Sequence, residues 1–199
     1  MLYVESKKKK IENVQKKYPY SVIIDVTSKG EMPFVKFSPF YPVGGIPVPF
    51  YEGEHSESVE GIWQALKVFS EDDIDLSKLK VKSMSGIKRS VKVNGKVLGH
   101  RKGNNGELLN YIEARKLIYL PTYFWVLDNK LNELIDKVVS IAQVKNIVFL
   151  DYTTNTDIEN TSKPLSHAGL LVKYLSENHK ELLHVQIEDK NQKQLKLNL

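Results

Sequence analysis

The sequence predicts an α+β domain, mostly helical around a small β-sheet, with an inserted β-hairpin. Three observations carry that prediction. Residues 21–27 (SVIIDVT) and 146–152 (NIVFLDY) are β-branched, apolar runs with the composition of central strands. Helical periodicities fall between them at irregular intervals, which suits an α+β arrangement better than a doubly wound sheet. Asn94-Gly95, inside the alternating run 79–98, is a hairpin signal because both central residues of such a turn take positive φ. A chain of 199 residues that is 41% hydrophobic can bury one sizeable core, so one domain over 1–199 is the default.

In chain order, residues 3–17 read as a Lys-rich helix within the N-terminal segment 1–20, ended by Tyr18-Pro19. After the first strand, residues 34–37 read as a short strand leading into a loop. That loop carries Phe37, Phe40, Tyr41, Phe50 and Tyr51 among Pro39, Pro42, Pro47 and Pro49, with Gly44-Gly45 at its bend. Prolines stiffen such a loop, and a glycine pair lets it turn sharply. It reads either as a slot for stacking a nucleobase-like ring or as a cover for the core.

Ser58 then has the chemistry of an N-cap. Val59, Ile62, Trp63, Leu66 and either Val68 or Phe69 form the buried stripe of the helix that follows. Glu60, Gln64 and Lys67, spaced i, i+4 and i+7, share another face. That row is a solvated stripe or the polar wall of a site. A carboxylate in the first turn is favoured by the helix dipole.

Residues 70–78 form an acidic linker. Asp72, Asp73 and Asp75 lack the glycine and distal glutamate of a calcium loop, so no metal is expected there. The hairpin ends in Gly99-His100-Arg101-Lys102-Gly103, a basic turn suited to phosphate contact through Arg101 and Lys102. Residues 106–120 read as a helix with Leu109, Ile112 and Leu117 inward. Pro121 opens a second helix at its first position, where a missing amide does no harm. Phe124, Leu127, Leu131, Leu134, Val138 and Ala142 form its buried stripe, and Trp125 belongs to core or rim.

The second strand ends in Asp151, a carboxylate that must be hydrogen-bonded or used if it is buried. The loop after it offers Asn155 and Asp157. Pro164 opens a last helix capped by Thr161 or Ser162, with Ser166, His167 and Gly169 in its first turns. The tail 182–199 reads as an edge strand that frays over 189–199.

The formal charge of +5 is concentrated in lysine clusters and suits an anionic partner. With no cysteine there is neither a disulfide framework nor a thiolate. No zincin helix or Walker loop appears, so neither a metal nor another cofactor is expected. Transmembrane and signal segments are absent from the pattern, which leads to the expectation of a soluble, cytoplasmic protein in a bacterial or virus-infected cell, monomeric by default.

The central motifs carry a family resemblance. F-S-x-F-Y-P, a glycine-containing turn and S-V-E-x-x-x-Q-x-x-K resemble the signature of the NADAR family, named for its association with NAD and ADP-ribose. Glu60, Gln64 and Lys67 match the E-x-x-x-Q-x-x-K positions. I-V-F-L-D-Y followed by L-S-H-A-G-L-L-V-K-Y-L resembles the family's closing strand, loop and helix. Pro39 stands where the family has Asn, and T-T-N-T-D-I-E-N replaces a W-G-D-G-like loop.

The resemblance implies a NADAR-like fold and an N-glycosidase that removes ADP-ribose from a nucleobase, guanine in DNA above all, in reversal of a toxin's or defence system's modification. In that reading Glu60 is the catalytic carboxylate, with Asp151 or Asp157 as partner acid. Lys67, Arg101 and Lys102 meet phosphates, and the segment with Phe37, Ser38, Phe40, Tyr41 and Gly45 holds a ring. Gln64, Asn155, Ser166, His167 and Gly169 complete the binding surface. A non-catalytic binder of ADP-ribose or a related NAD-derived nucleotide is the second expectation, kept open by the altered late loop. A nucleic-acid-binding module, resting on the lysines, is the third.

Overall fold

The structure is a computed structural model and describes residues 1–179. The expected edge strand and fraying of 182–199 lie outside the described residues.

The chain opens with strand β1 (Leu2–Ser6), helix α1 (Ile11–Lys17) and strand β2 (Val22–Asp25). A 3-10 turn (Phe34–Phe37) starts the aromatic loop, which ends in the short strands β3 (Ile46–Pro47) and β4 (His55–Ser56). Helix α2 (Val59–Ala65) and strand β5 (Lys67–Phe69) follow. A second 3-10 turn (Leu76–Lys80) and the single turn α3 (Val91–Asn94) lead to strands β6 (Val97–Arg101) and β7 (Leu108–Leu109). Helix α4 (Tyr111–Ala114), a π-helical turn (Arg115–Tyr119) and α5 (Leu120–Lys130) run on without a gap. Helix α6 (Asn132–Val144), strand β8 (Ile147–Asp151) and helix α7 (His167–Asn178) complete the domain, a mixed α/β unit built on small sheets.

The main sheet is parallel, in the order β1-β8-β2. All five residues of β8 are buried, as a central parallel strand covered on both faces requires. Val14 of α1 packs with Val148 and Leu150 on one face. Phe149 and Ile147 join the main core on the other, with α5, α6 and α7. A three-stranded antiparallel sheet, β5-β6-β7, stands apart from it.

The expected Lys-rich helix over 3–17 is corrected: Leu2–Ser6 pairs with β8, and only Ile11–Lys17 is helical. Pairing at the sheet edge overrides helical propensity here, and Lys9 and Lys17 close on the buried Glu5 at 2.7 and 2.5 Å. Residues 34–37 are likewise a 3-10 turn rather than a strand, with the Lys36 amide bonded to the Pro33 carbonyl.

The inserted hairpin is not formed either. Ser90 caps the turn α3, and Gly95 (φ 82°) ends it, leading into β6. Asn-Gly therefore closes a helical turn instead of joining two strands. The partners of β6 are β5 and β7. Ser58 does cap α2, accepting the Gly61 amide at 3.0 Å, but the helix stops at Ala65 and Val68 and Phe69 belong to β5.

Helix α4 starts at the capping box of Asn110 and Glu113, not at Gly106. Pro121 lies inside the continuous helical run. It cannot donate to the Leu117 carbonyl, and the chain widens just there: the Leu120 amide reaches the Arg115 carbonyl five residues back. That extra residue leaves Leu117, expected inward, at 41% exposure. The buried stripe expected beyond Pro121 does form, but a break at Leu131 divides it between α5 and α6. The last helix begins later than expected, at His167 with Ser166 as its cap.

Arg115 is 1% exposed and holds the loop before α7. Its Nη1 donates to the Ile158 and Asn160 carbonyls (2.7 and 2.9 Å) and its Nη2 to that of Lys163 (2.7 Å). Arg115→Ala is expected to cost roughly 3 kcal/mol, the scale of losing charge-assisted bonds and leaving their acceptors unpaired. Arg115→Lys should not restore it, since one ammonium cannot span three carbonyls. Hydrogen exchange over 158–163 should accelerate in both variants; unchanged exchange there would show that the loop does not depend on Arg115.

Candidate functional site

A cavity of about 890 Å³ opens where α2, the π-helical turn and the C-terminal end of the parallel sheet meet. That volume is within the range of sites that enclose a nucleotide-sized ligand. Helix α2 contributes Glu60, Trp63 and Gln64, and β5 contributes Lys67. Lys88 and Arg89 come from the irregular segment before α3. Tyr111, Arg115 and Tyr119 line it from α4 and the π-helical turn, with the Trp63 ring meeting Tyr111 and Tyr119 edge-on at 5.8 and 5.5 Å. Asp151, His167 and Lys8 stand at the strand ends, with Ser38, Pro39 and Phe40 from the aromatic loop.

The polar row of α2 faces this cavity and is buried. Gln64 Nε2 donates to Glu60 Oε1 at 2.8 Å, while Gln64 Oε1 accepts from Lys67 Nζ at 3.3 Å and from the Arg89 amide at 3.1 Å. Those donors fix the amide's orientation and join the cation to the carboxylate. Burial pushes the Glu60 carboxyl up from its ordinary range, and Gln64, Lys67, Lys88 and His167 offset only part of that. Burial pulls the Lys67 ammonium down, against the opposing pull of Glu60.

Asp151 is also buried, but its oxygens are fully engaged. Oδ1 accepts the Tyr152 amide at 2.7 Å. Oδ2 accepts from the Ser166 hydroxyl (2.8 Å) and the Ala168 amide (3.3 Å), and lies 3.1 Å from His167 Nδ1. His167 Nε2 faces the Val26 carbonyl at 2.8 Å, so both ring nitrogens point at acceptors. Burial alone would raise the Asp151 carboxyl; His167, Ser166 and the Ala168 amide outweigh it and hold it below its ordinary value.

Glu60, Gln64, Lys67, Asp151, His167, Ser38 and Phe40 are thus brought together around one cavity. Asp157 is not: it is exposed, and Oδ1 accepts the Glu159 amide within its own loop. Asn155 braces the same loop by donating to the Asn160 and Lys163 carbonyls. Ser166 is a cap, and Gly169 accommodates protein rather than ligand, since a Cβ there would lie 2.4 Å from Thr156 Cγ2. Phe37 is core, its carbonyl accepting the Tyr123 hydroxyl at 2.9 Å. Tyr41 and Gly45 lie outside the lining, with Gly45 close to Lys130.

The basic turn is corrected as well. His100 and Arg101 are in β6. Arg101 pairs with Asp73 at 2.8 Å and Lys102 with Glu107 at 2.7 Å, both away from the cavity. The cations that do line it are Lys8, Lys67, Lys88, Arg89 and Arg115, against the carboxylates of Glu60 and Asp151. Lys88 Nζ sits 5.2 Å over the Phe40 ring. Arg89 ties its segment to β5 through the Lys67 carbonyl (2.6 Å) and to α2 through the Gln64 carbonyl (3.3 Å), and pairs with Asp72 at 2.7 Å.

Sequence reasoning missed Trp63, Arg115 and Tyr119. Trp63, assigned to the buried stripe, lines the cavity and packs against His100 in a tilted contact with centroids 3.8 Å apart. Burial, then the Lys67 ammonium, pulls the pKa of His100 down to about 3, so a neutral ring backs the indole. Arg115 and Tyr119 were hidden by the π-helical turn. Its one outward signal is a proline inside a helical periodicity.

A family model described as a family of unknown function (DUF6939) matches residues 6–171, and the chain belongs to that family. The matched span contains the cavity residues from Lys8 to His167. No curated protein matches the sequence.

Because Asp151 is held below the carboxyl pKa of about 3.9 found in unfolded chains, its ionised form contributes stability above that pH and loses it as pH falls. Asp151→Asn should lower stability at pH 7 by about 3 kcal/mol, as expected for breaking a buried pair. The gap between the urea midpoints of the two proteins should be smaller at pH 3 than at pH 7. An equal gap at both pH values would mean that the carboxylate's charge is not what holds the joint.

Proposed function

We propose that this member of a family without an assigned activity is an N-glycosidase that removes ADP-ribose from a nucleobase, most concretely from guanine in DNA. The observation that carries the reading is Glu60. It is a buried carboxyl in the first turn of α2 with its pKa raised, hydrogen-bonded by Gln64 and facing a nucleotide-sized cavity. The NADAR-like motif supplies the reaction class, and the positive lining supports an anionic substrate.

Breaking an N-glycosidic bond develops oxocarbenium character at the ribose C1′. Glu60 stabilises that charge or takes the proton of the attacking water. A base whose pKa has moved up towards neutrality suits that task. Gln64 orients the carboxylate while its own carbonyl is held by Lys67 and Arg89. Phe40 and Trp63 provide ring surfaces, and Lys67 and Lys88 provide charge for phosphates. Asp151 acts here as a positioning residue, since no lone oxygen remains for chemistry.

Glu60→Gln keeps size and removes the charge. With ADP-ribosylated guanosine as substrate and products read by mass spectrometry, turnover should fall about 10²-fold or more while affinity changes little. Normal turnover in a folded variant would remove Glu60 from the mechanism. If the wild type binds ADP-ribose without any turnover, the chain is a binder instead.

Phosphate contact by the cavity cations has its own test. Lys88→Ala should weaken ADP-ribose binding, more strongly at low ionic strength, whereas replacing Arg101 and Lys102 together should not. The opposite pattern would move the phosphates out of the cavity.

A further inference from the structure

Among the tyrosines around the cavity, Tyr119 is placed differently from its neighbour. The Tyr123 hydroxyl donates to the Phe37 carbonyl at 2.9 Å and is fully engaged in the core. Tyr119 lies half-buried in the cavity wall, and its hydroxyl has no hydrogen-bond partner among the described residues. Its ring is fixed from two sides. It stacks parallel to Tyr123 at 6.4 Å and meets the edge of Trp63 at 5.5 Å. A held ring with an unpartnered hydroxyl in a cavity is what a preorganised donor to a ligand looks like.

The backbone gives a second, independent reason. Tyr119 closes the π-helical turn that starts at Arg115, and both residues line the cavity. Single π turns inside α-helices are frequent at functional sites. Glu60 stands on α2, which packs against this turn through Trp63, and is near enough for its charge to act on the phenol. Burial first, then Glu60 and other neighbours, pushes Tyr119 well above its ordinary pKa, so it remains a neutral donor throughout the working range.

We infer that Tyr119 is a catalytic residue whose hydroxyl donates a hydrogen bond to the departing nucleobase while Glu60 acts at the ribose carbon. The assignment rests on the N-glycosidase reading. The C1′–N bond breaks with its electron pair going to the base, whose growing negative charge Tyr119 stabilises. Water adds its oxygen to C1′ and gives one proton to Glu60; that proton ends, through solvent, on the base nitrogen. Tyr119 keeps its own proton, so the step balances as a hydrolysis.

Tyr119→Phe retains the ring and deletes the donor. With ADP-ribosylated guanosine, kcat should fall about 10²-fold, the usual scale for one donor to a developing anion. KM, the affinity for free ADP-ribose and the melting temperature should stay near wild type. A second variant carries a polyfluorinated tyrosine at 119, with enough fluorines that phenolate absorbance shows it ionising within the accessible pH range in the folded protein. Its kcat should then drop on the alkaline side, where the wild type stays flat; a purely structural ring would not produce that limb. Wild-type kcat in a folded Tyr119→Phe, or a flat alkaline profile in the fluorinated protein, overturns the assignment and leaves the N-glycosidase reading standing. A wild type without turnover overturns both. Should Tyr119→Phe not fold, the fluorinated variant alone decides.

Discussion

The carboxylate of Asp151 is the joint on which the domain closes. It sits at the end of β8, where the central strand leaves the sheet. Its two oxygens take the amide of Tyr152, the hydroxyl of Ser166 and the amide of Ala168, and one faces His167. His167 carries the link to the Val26 carbonyl just beyond β2. One charged group thereby ties the central strand to the start of α7 and to its neighbour in the sheet. A buried carboxylate is costly unless every lone pair is met, and here the N-terminal turn of a helix supplies the donors. The cavity is formed at this same end of the sheet, so its floor is set by the joint.

Two buried carboxylates face that cavity with opposite fates. Asp151 is saturated by donors and held ionised; Glu60 has one donor from Gln64 and is pushed towards neutrality by burial. Similar burial with different hydrogen bonding separates a group that holds structure from one that is free to meet a ligand. The distinction is invisible in sequence, where both are acids in apolar contexts. It turns on where neighbouring amides happen to point.

Much of the frame was nevertheless legible. The two β-branched runs became β2 and β8, Ser58 capped α2, and Glu60 and Gln64 did share a helix face, although Lys67 reaches Gln64 from β5 rather than from the same helix. What failed were readings in which a local signal has two structural meanings. Asn94-Gly95 served as the end of a helical turn rather than a hairpin, because Ser90 offered a cap four residues earlier. Arg101 and Lys102 looked like phosphate ligands until their partners Asp73 and Glu107, distant or separated by a turn, were brought beside them. Leu2–Ser6 became a strand because β8, almost the whole chain away, supplied its hydrogen bonds. Charge and propensity are properties of a residue, but pairing belongs to the fold.

The π-helical turn shows the same principle acting on function. Pro121 removes one amide from a helix, and the chain answers by adding a residue to the preceding turn. The added residue rotates the helix surface, exposing Leu117 and leaving Arg115 and Tyr119 on the cavity wall. Arg115 then braces the late loop while Tyr119 meets the cavity. A backbone irregularity that regular periodicity cannot encode thus supplies one part of the lining, and the regular face of α2 supplies another. Their juxtaposition requires both a helix that keeps its period and one that loses it.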